Sequence, residues 1–284
     1  ENVHNTGAVL VKETTRINGI FAGGVGAILY NGSGGTGYSK GCTNDAPVTV
    51  LASTMENYST GKYFYRIGGI TGFGRTKTTG GCTNNGDITV SGDIKIAANS
   101  EYKEEALVVA GCIGFKTSGH PAGKWENNGD ILVDATISFD DEAAATYHPI
   151  AISGCFGPQP SNPDEGYNNG NITFNGKYEG TGTYVDIGGI YAGGQDANDY
   201  NNKTPIKAKN TGNITIGDDA VIASNLYVGG ICVGRCYRGA DELTAQSFTE
   251  SPFEMGDRLY RTGDIACWTA EGEIVLAGRS DRQV

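Results

Sequence analysis

The chain is expected to be all-β: a repeat β-solenoid, parallel β-helix-like, followed by a small β-rich segment with one short helix. Three observations predict this. First, an asparagine stands two residues before a small residue, and a β-branched residue two after it, at six places. These are Asn5-x-Gly7-x-Val9, Asn44-x-Ala46-x-Val48, Asn84-x-Gly86-x-Ile88, Asn127-x-Gly129-x-Ile131, Asn168-x-Gly170-x-Ile172 and Asn210-x-Gly212-x-Ile214. The small residues are 39, 40, 43, 41 and 42 apart, and a fixed period of this size marks an array of like units. Second, glycine is 45 of 284 residues, proline only 8 and charged residues 19%, a composition of turn-rich β-structure rather than collagen. Third, helix signal is nearly absent before residue 240, while each unit carries two strand signals.

The first strand signal follows the Asn-x-Gly turn. Val9-Leu10-Val11, Val48-Thr49-Val50, Ile88-Thr89-Val90, Ile131-Leu132-Val133, Ile172-Thr173-Phe174 and Ile214-Thr215-Ile216 are apolar at both ends, and four have Thr in the middle. That is period-two alternation, one face in and one out. The second signal is glycine-paired: Ala22-Gly23-Gly24-Val25, Ile67-Gly68-Gly69-Ile70, Ala110-Gly111-Cys112, Ser153-Gly154-Cys155, Ile187-Gly188-Gly189-Ile190 and Val228-Gly229-Gly230-Ile231. Glycine there permits close backbone approach or a tight corner. The asparagines Asn84, Asn127, Asn168 and Asn210 are expected to form a structural ladder, because Asn tolerates left-handed turns and stacked amides bond to one another. One unit cannot bury its apolar face alone, so about five units stack over residues 1–225. A sandwich of short strands is the runner-up, but sandwiches do not repeat at a fixed period.

A net charge of −11 repels phosphate backbones and argues against a nucleic-acid partner. No apolar run reaches 18 residues, so no helical membrane span is expected. The chain opens in mid-repeat at Glu1 without a signal peptide, which is expected of a mature or excised fragment. Seven cysteines include no CxxC pair. Cys42 and Cys82 share one repeat position and Cys112 and Cys155 another, which fits small buried apolar residues better than disulfides or a metal. His4, His120 and His148 have no ligand-like neighbours, so no metal is expected.

Several motifs compete with the repeat. Lys116-Thr-Ser-Gly-His-Pro-Ala-Gly-Lys124 resembles a phosphate loop, but it lacks Ser/Thr after Lys124 and opens no helix. Arg75-Thr-Lys-Thr-Thr-Gly-Gly81 fills the same repeat slot, so a loop is the expectation. Gly32-x-Gly34-x-x-Gly37 is weaker still. Asn31, Asn57, Asn171, Asn202 and Asn213 begin glycosylation sequons, of which Asn171 and Asn213 simply spell the repeat. Asp87 and Asp130 are read as solvated turns in preference to a calcium site, and Asp140-Asp-Glu142 as a charged loop.

Alternation of VGGI-x-G with C-T-N-x-G-D-I-T-V resembles the glycine-rich, GLUG-type repeats of bacterial surface proteins found in Bacteroidetes, over about residues 1–230. The resemblance implies a secreted or surface-attached adhesive or scaffolding role, with a surface glycan or protein as ligand and no catalytic residues or cofactor.

The segment 226–284 differs in kind. Leu226-Tyr-Val-Gly-Gly-Ile-Cys-Val-Gly-Arg-Cys-Tyr-Arg-Gly239, Glu242-Leu-Thr-Ala-Gln-Ser-Phe248, Tyr260-Arg-Thr-Gly-Asp264 and Gly278-Arg-Ser-Asp-Arg-Gln-Val284 resemble the adenylation domain of nonribosomal peptide synthetases, in family order. The resemblance implies that Asp264 accepts hydrogen bonds from the adenylate ribose, that Arg279 sits near ribose and phosphate, and that Asp281 is the hinge before a mobile lobe. It also implies ATP and Mg²⁺ as ligands and a cytoplasmic location if this part defines the protein. A carboxylate for a diol and a guanidinium for a phosphate are chemically apt. The chain stops at Val284, before the lobe with the catalytic lysine, and no Tyr-Gly-Pro-Thr-Glu adenine-stacking motif occurs. No catalysis is therefore expected. Leu226–Ile231 reads well in both parts. This suggests a recombination junction, an assembly artefact or an artificially composed sequence.

Overall fold

The computed structural model describes residues 2–12, 20–30, 40–55, 65–75, 78–96, 107–116, 121–139, 150–157, 165–179, 184–192, 207–230, 248–250, 258–260, 264–268 and 274–279. These residues are strands, turns and bends, with no helix among them. The short helix expected after residue 240 lies outside the described residues. The chain divides into two compact units, Glu1–Val233 and Gly234–Val284.

The first unit is a parallel β-solenoid in which each repeat makes one coil. Three parallel six-rung ladders run along it. The asparagine ladder stacks His4–Asn5, Thr43–Asn44, Thr83–Asn84, Lys124–Asn127, Glu165–Asn168 and Lys207–Asn210. The threonine ladder stacks Val9–Lys12, Val48–Met55, Ile88–Ile96, Ile131–Phe139, Ile172–Phe174 and Ile214–Ile216. The glycine ladder stacks Ile20–Gly23, Tyr65–Gly68, Leu107–Ala110, Ile150–Ser153, Tyr184–Gly188 and Asn225–Gly229. Every pairing joins equivalent positions, for example Asn84 with Asn44 and Asn127, and Ile88 with Val48 and Ile131.

There are six coils rather than about five. The sixth closes with Asn225–Gly229, which pairs in parallel with Tyr184–Gly188. The solenoid thus extends past residue 225, and the compact units part at 233/234.

The alternation along the threonine ladder puts Val48, Val50, Ile88, Val90, Ile131, Val133, Ile172 and Phe174 in the core, while Thr49, Thr89 and Thr173 are half-exposed. The core is completed from the glycine ladder by Ile67, Leu107, Val109, Ile150, Ile152, Val185 and Ile187. The glycine ladder does not alternate. It is buried on both faces, as Tyr65–Gly68, Leu107–Ala110 and Ile150–Ser153 show. After the Gly-Gly corner a fourth strand, Gly26–Tyr30, Thr71–Arg75 or Ile113–Lys116, folds back over its outer face. A Cβ on Gly72 would lie 2.4 Å from the Arg66 carbonyl oxygen and 2.8 Å from the Ala22 nitrogen. Phe21 meets Phe73 edge to face across these layers, centroids 5.8 Å apart. Arg66, which simple alternation would place in water, is consequently buried, and Asp186 at the equivalent face of the fifth coil is buried too.

The second unit contributes two antiparallel ribbons among the described residues. Phe248–Glu250 pairs with Arg258–Tyr260, and Asp264–Trp268 with Ile274–Arg279.

Candidate functional site

The four asparagines chosen from sequence lie in one continuous row, with Asn5 and Asn44 extending it. Each side-chain amide donates to the carbonyl two residues on in its own turn, and those of Asn5 through Asn168 donate also to Oδ1 of the asparagine on the next coil. For Asn84 these are Gly86 O at 2.7 Å and Asn127 at 2.8 Å. For Asn127 they are Gly129 O at 2.8 Å and Asn168 at 2.8 Å, and Asn168 reaches Asn210 at 2.7 Å. Asn44, Asn84, Asn127 and Asn168 have no exposed surface. The reason for asparagine differs from the sequence expectation in one respect. Among described residues only Asn2 is a non-glycine with positive φ, so the ladder uses the amide's two N–H groups and not left-handed backbone. A buried row of this kind is stable because every polar atom finds a partner.

The Gly-Gly corner is what admits this row. The glycine at the second position of the corner (Gly24, Gly69, Gly111, Gly154 and Gly189) faces the asparagine of the following strand. A Cβ on Gly111 would lie 1.9 Å from Gly154 O and 2.4 Å from Asn127 Cγ, and on Gly154 2.0 Å from Gly189 O and 2.4 Å from Asn168 Cγ. The two sequence signatures are therefore two sides of one contact.

A second, outward row escapes the sequence reading. Asn85 donates to Asp45 at 2.6 Å, Asn128 to Asn85 at 2.7 Å, Asn169 to Asn128 at 2.7 Å and Thr211 to Asn169 at 2.8 Å. His4 pairs with Asp45 at its end. The Asn85 amide first, and His4 second, hold the Asp45 carboxyl below its ordinary range. The repeated Asn-Asn dipeptides 84–85, 127–128 and 168–169 are the signal that could have found it. Asp87 and Asp130 serve a third row. Their carboxylates accept the backbone N–H of Asp130 and Asn171 on the next coil, at 2.9 and 2.7 Å. That is a turn role. No group of three or more His, Cys, Asp or Glu among the described residues is arranged to hold a metal ion.

Cys42, Cys82, Cys112 and Cys155 are buried and in no disulfide, and the two cysteine rows converge in one apolar cluster with Ile70, Trp125, Phe156 and Ile190. Burial, reinforced by Cys155, pushes the Cys112 thiol well above its ordinary value. Within the phosphate-loop-like stretch Pro121–Ala122 pairs in parallel with Thr78–Thr79, so both loops occupy one repeat slot. On the outside of the threonine ladder an open cleft of about 600 Å³ is lined by Asp93, Asp134, Asn175, Lys177, Asp218 and Asp219, among others.

In the second unit Asp264 and Arg279 are direct cross-strand partners. The two residues the synthetase resemblance assigns to nucleotide contact thus stand at the same rung of one hairpin, which spacing alone does not reveal. Tyr260, which opens the Tyr-Arg-Thr-Gly-Asp motif, pairs with Phe248. Asp281 lies outside the described residues.

No family model matches the chain, and no solved structure matches it. Curated relatives match a short stretch. Tyrocidine synthase 2 of Brevibacillus parabrevis is 46% identical over 63 residues, gramicidin S synthase 2 of Brevibacillus brevis 48% over 63, and surfactin synthase subunit 1 of Bacillus subtilis (strain 168) 48% over 63. Each match covers 22% of this chain, and respectively 2%, 1% and 2% of the relative. The comparisons support the synthetase resemblance for part of the chain and give none to the surface-repeat resemblance.

Proposed function

We propose that the chain joins a noncatalytic repeat scaffold to a fragment of an adenylate-forming domain of the nonribosomal peptide synthetase type. The observation that carries the second half is the rung shared by Asp264 and Arg279, in a chain of which 22% resembles synthetases. In such a domain Asp264 would accept the ribose hydroxyls of an adenylate, Arg279 would lie near ribose and phosphate, and Asp281 would be the hinge. ATP with Mg²⁺ is the implied ligand.

The fragment by itself is not an enzyme in this reading. Adenylation requires the nucleotide held on several sides with the reacting groups aligned. The 284 residues hold no Tyr-Gly-Pro-Thr-Glu shelf, and the stretch most like a phosphate loop is spent on the solenoid. Asp264 alone supplies one or two hydrogen bonds worth about 1 kcal/mol each in water, which does not offset the entropy of binding. The solenoid half carries an adhesive, scaffolding or glycan-binding role at a cell surface or outside the cell. Its support is physical: rigid outer rows of amides and carboxylates, and a polar cleft.

ATP–pyrophosphate exchange with each amino acid, and calorimetry at millimolar ATP and Mg²⁺, test this reading. The expected result is no exchange and no heat of binding. Exchange that disappears in Asp264→Ala would overturn it and make the chain an amino-acid-activating enzyme.

A further inference from the structure

In the turns that carry Asn85, Asn128 and Asn169 the outward asparagine is followed by glycine, and the fold leaves no choice in this. A Cβ on Gly86 would lie 1.9 Å from Ala46 O, on Gly129 2.1 Å from Gly86 O and on Gly170 2.0 Å from Gly129 O. The backbone of each turn rests on the turn of the coil before it, and only glycine fits. The outward row is thereby built from Asn-Gly dipeptides, the pairing in which a following backbone nitrogen reaches a side-chain amide with least steric hindrance. All three asparagines are exposed. The glycines lie between the asparagine and threonine ladders, and no backbone carbonyl among the described residues accepts their N–H. Electrophile, nucleophile and water thus meet at three successive rungs.

The row itself opposes the reaction. Ring closure requires the side chain to leave its place, because the reacting atoms must come into near contact. Asn128 donates to Asn85 Oδ1 at 2.7 Å and accepts from Asn169 at 2.7 Å, and Asn169 accepts from Thr211 Oγ1 at 2.8 Å. Asp45 fixes the direction, since a carboxylate only accepts. Asn85 donates to it at 2.6 Å, so the Asn85 Oδ1 faces the Asn128 amide, and the same orientation continues up the row. Asn175-Gly176 is the same dipeptide outside the row. The Asn175 amide is 3.5 Å from Asp134 Oδ1, and its Oδ1 accepts the Asp219 N–H at 3.3 Å. These contacts are long, and they hold the side chain less firmly.

We propose that Asn85, Asn128 and Asn169 are sites of spontaneous deamidation that the row holds back, and that conversion, once begun, passes along the row toward Asp45. In the step the glycine nitrogen attacks the asparagine Cγ and gives up its proton, the Cγ–Nδ2 bond breaks, and ammonia leaves. Water then opens the succinimide at either carbonyl, giving aspartate or isoaspartate. In sum one amide and one water become one carboxylate and one ammonium ion. An aspartate product still accepts from the coil of higher number but no longer donates to the coil of lower number. Isoaspartate, which carries an extra backbone methylene, also lacks the donor. Conversion of Asn169 therefore releases Asn128 Oδ1, and conversion of Asn128 releases Asn85 Oδ1.

The test is peptide mapping by mass spectrometry of the full chain aged in mildly alkaline buffer, with isoaspartate read by methyltransferase labelling and folding followed by far-UV circular dichroism. In the folded wild type Asn175 should convert first, and Asn85, Asn128 and Asn169 several-fold more slowly. In urea the four should converge, because the dipeptide is the same. Asn128→Asp is the deciding variant. Asn85 then loses the donor to its Oδ1 and should convert about fivefold faster, the factor for one hydrogen bond of ordinary net worth. Asn169 keeps a carboxylate to donate to, so its rate should stay unchanged, as should that of Asn175. Row residues that convert as fast as Asn175 in the folded wild type overturn the proposal. So does a variant in which Asn85 is unchanged, or in which Asn85 and Asn169 accelerate alike, which is the signature of general loosening. If Asn128→Asp fails to fold, Thr211→Val removes the hydroxyl that donates to Asn169 and should speed Asn169 by the same factor; an unchanged rate there overturns the proposal equally.

Discussion

Replacing Asn127 by alanine tests the ladder where it is most enclosed. Asn127 has no exposed surface. Its side chain makes three hydrogen bonds: it donates to Gly129 O at 2.8 Å and to Asn168 Oδ1 at 2.8 Å, and accepts from Asn84 at 2.8 Å. The substitution removes all three and leaves Gly129 O and Asn168 Oδ1 buried without this donor. A net loss of about 1 kcal/mol per bond, plus the desolvation cost of the stranded groups, gives about 3–5 kcal/mol. Asn5→Ala is the matched control. Asn5 makes the same kinds of contact, to Gly7 O at 2.9 Å and Asn44 Oδ1 at 2.7 Å, but stands half-exposed at the end of the row. Water replaces much of what it loses, and the expected cost is about 1 kcal/mol. Urea denaturation followed by far-UV circular dichroism measures both, provided the m-values agree. Equal midpoint shifts for the two variants would refute the reasoning, since they would mean that the buried amide row does not govern stability.

Ile131→Asp puts a carboxylate into the core and should cost several kcal/mol, whereas Thr89→Asp on the half-exposed outer face should cost well under half as much; matched thermal midpoints decide it. Gly111→Ala places a methyl 1.9 Å from Gly154 O, so the corner must shift, and its urea midpoint should fall at least as far as that of Asn127→Ala. Burial pushes the Tyr65 phenol from 10.0 up to about 12. The folded state holds that proton longer than the unfolded one, so the contribution is intact below pH 10 and is lost as pH rises toward 12, by about 1.4 kcal/mol per unit. Tyr65 Oη has no hydrogen-bond partner among the described residues, so Tyr65→Phe should be as stable as wild type at pH 7 or more so, and should lose less between pH 9 and 11; a parallel decline in both proteins counts against the assignment.

The period, the inward positions of the threonine ladder and the row through Asn84, Asn127, Asn168 and Asn210 are legible in the sequence for one reason. Along a solenoid axis each residue touches its own equivalent one repeat away, so one-dimensional periodicity records those contacts directly. Contacts between inequivalent positions leave no such mark. The approach of Gly111 to Asn127, the meeting of the Cys112 and Cys155 row with the Cys42 and Cys82 row, and the burial of Arg66 under the strand that follows the glycine corner all depend on how sharply the chain turns within a coil. So does the count of one coil per repeat, which extended a sixth coil to Gly229. In the second unit the motif residues Asp264 and Arg279 were readable one by one, but their shared rung was not. A hairpin's register is set by its turn and by the shift between Ile265 and Ala266, and only the paired backbone decides which residue faces which.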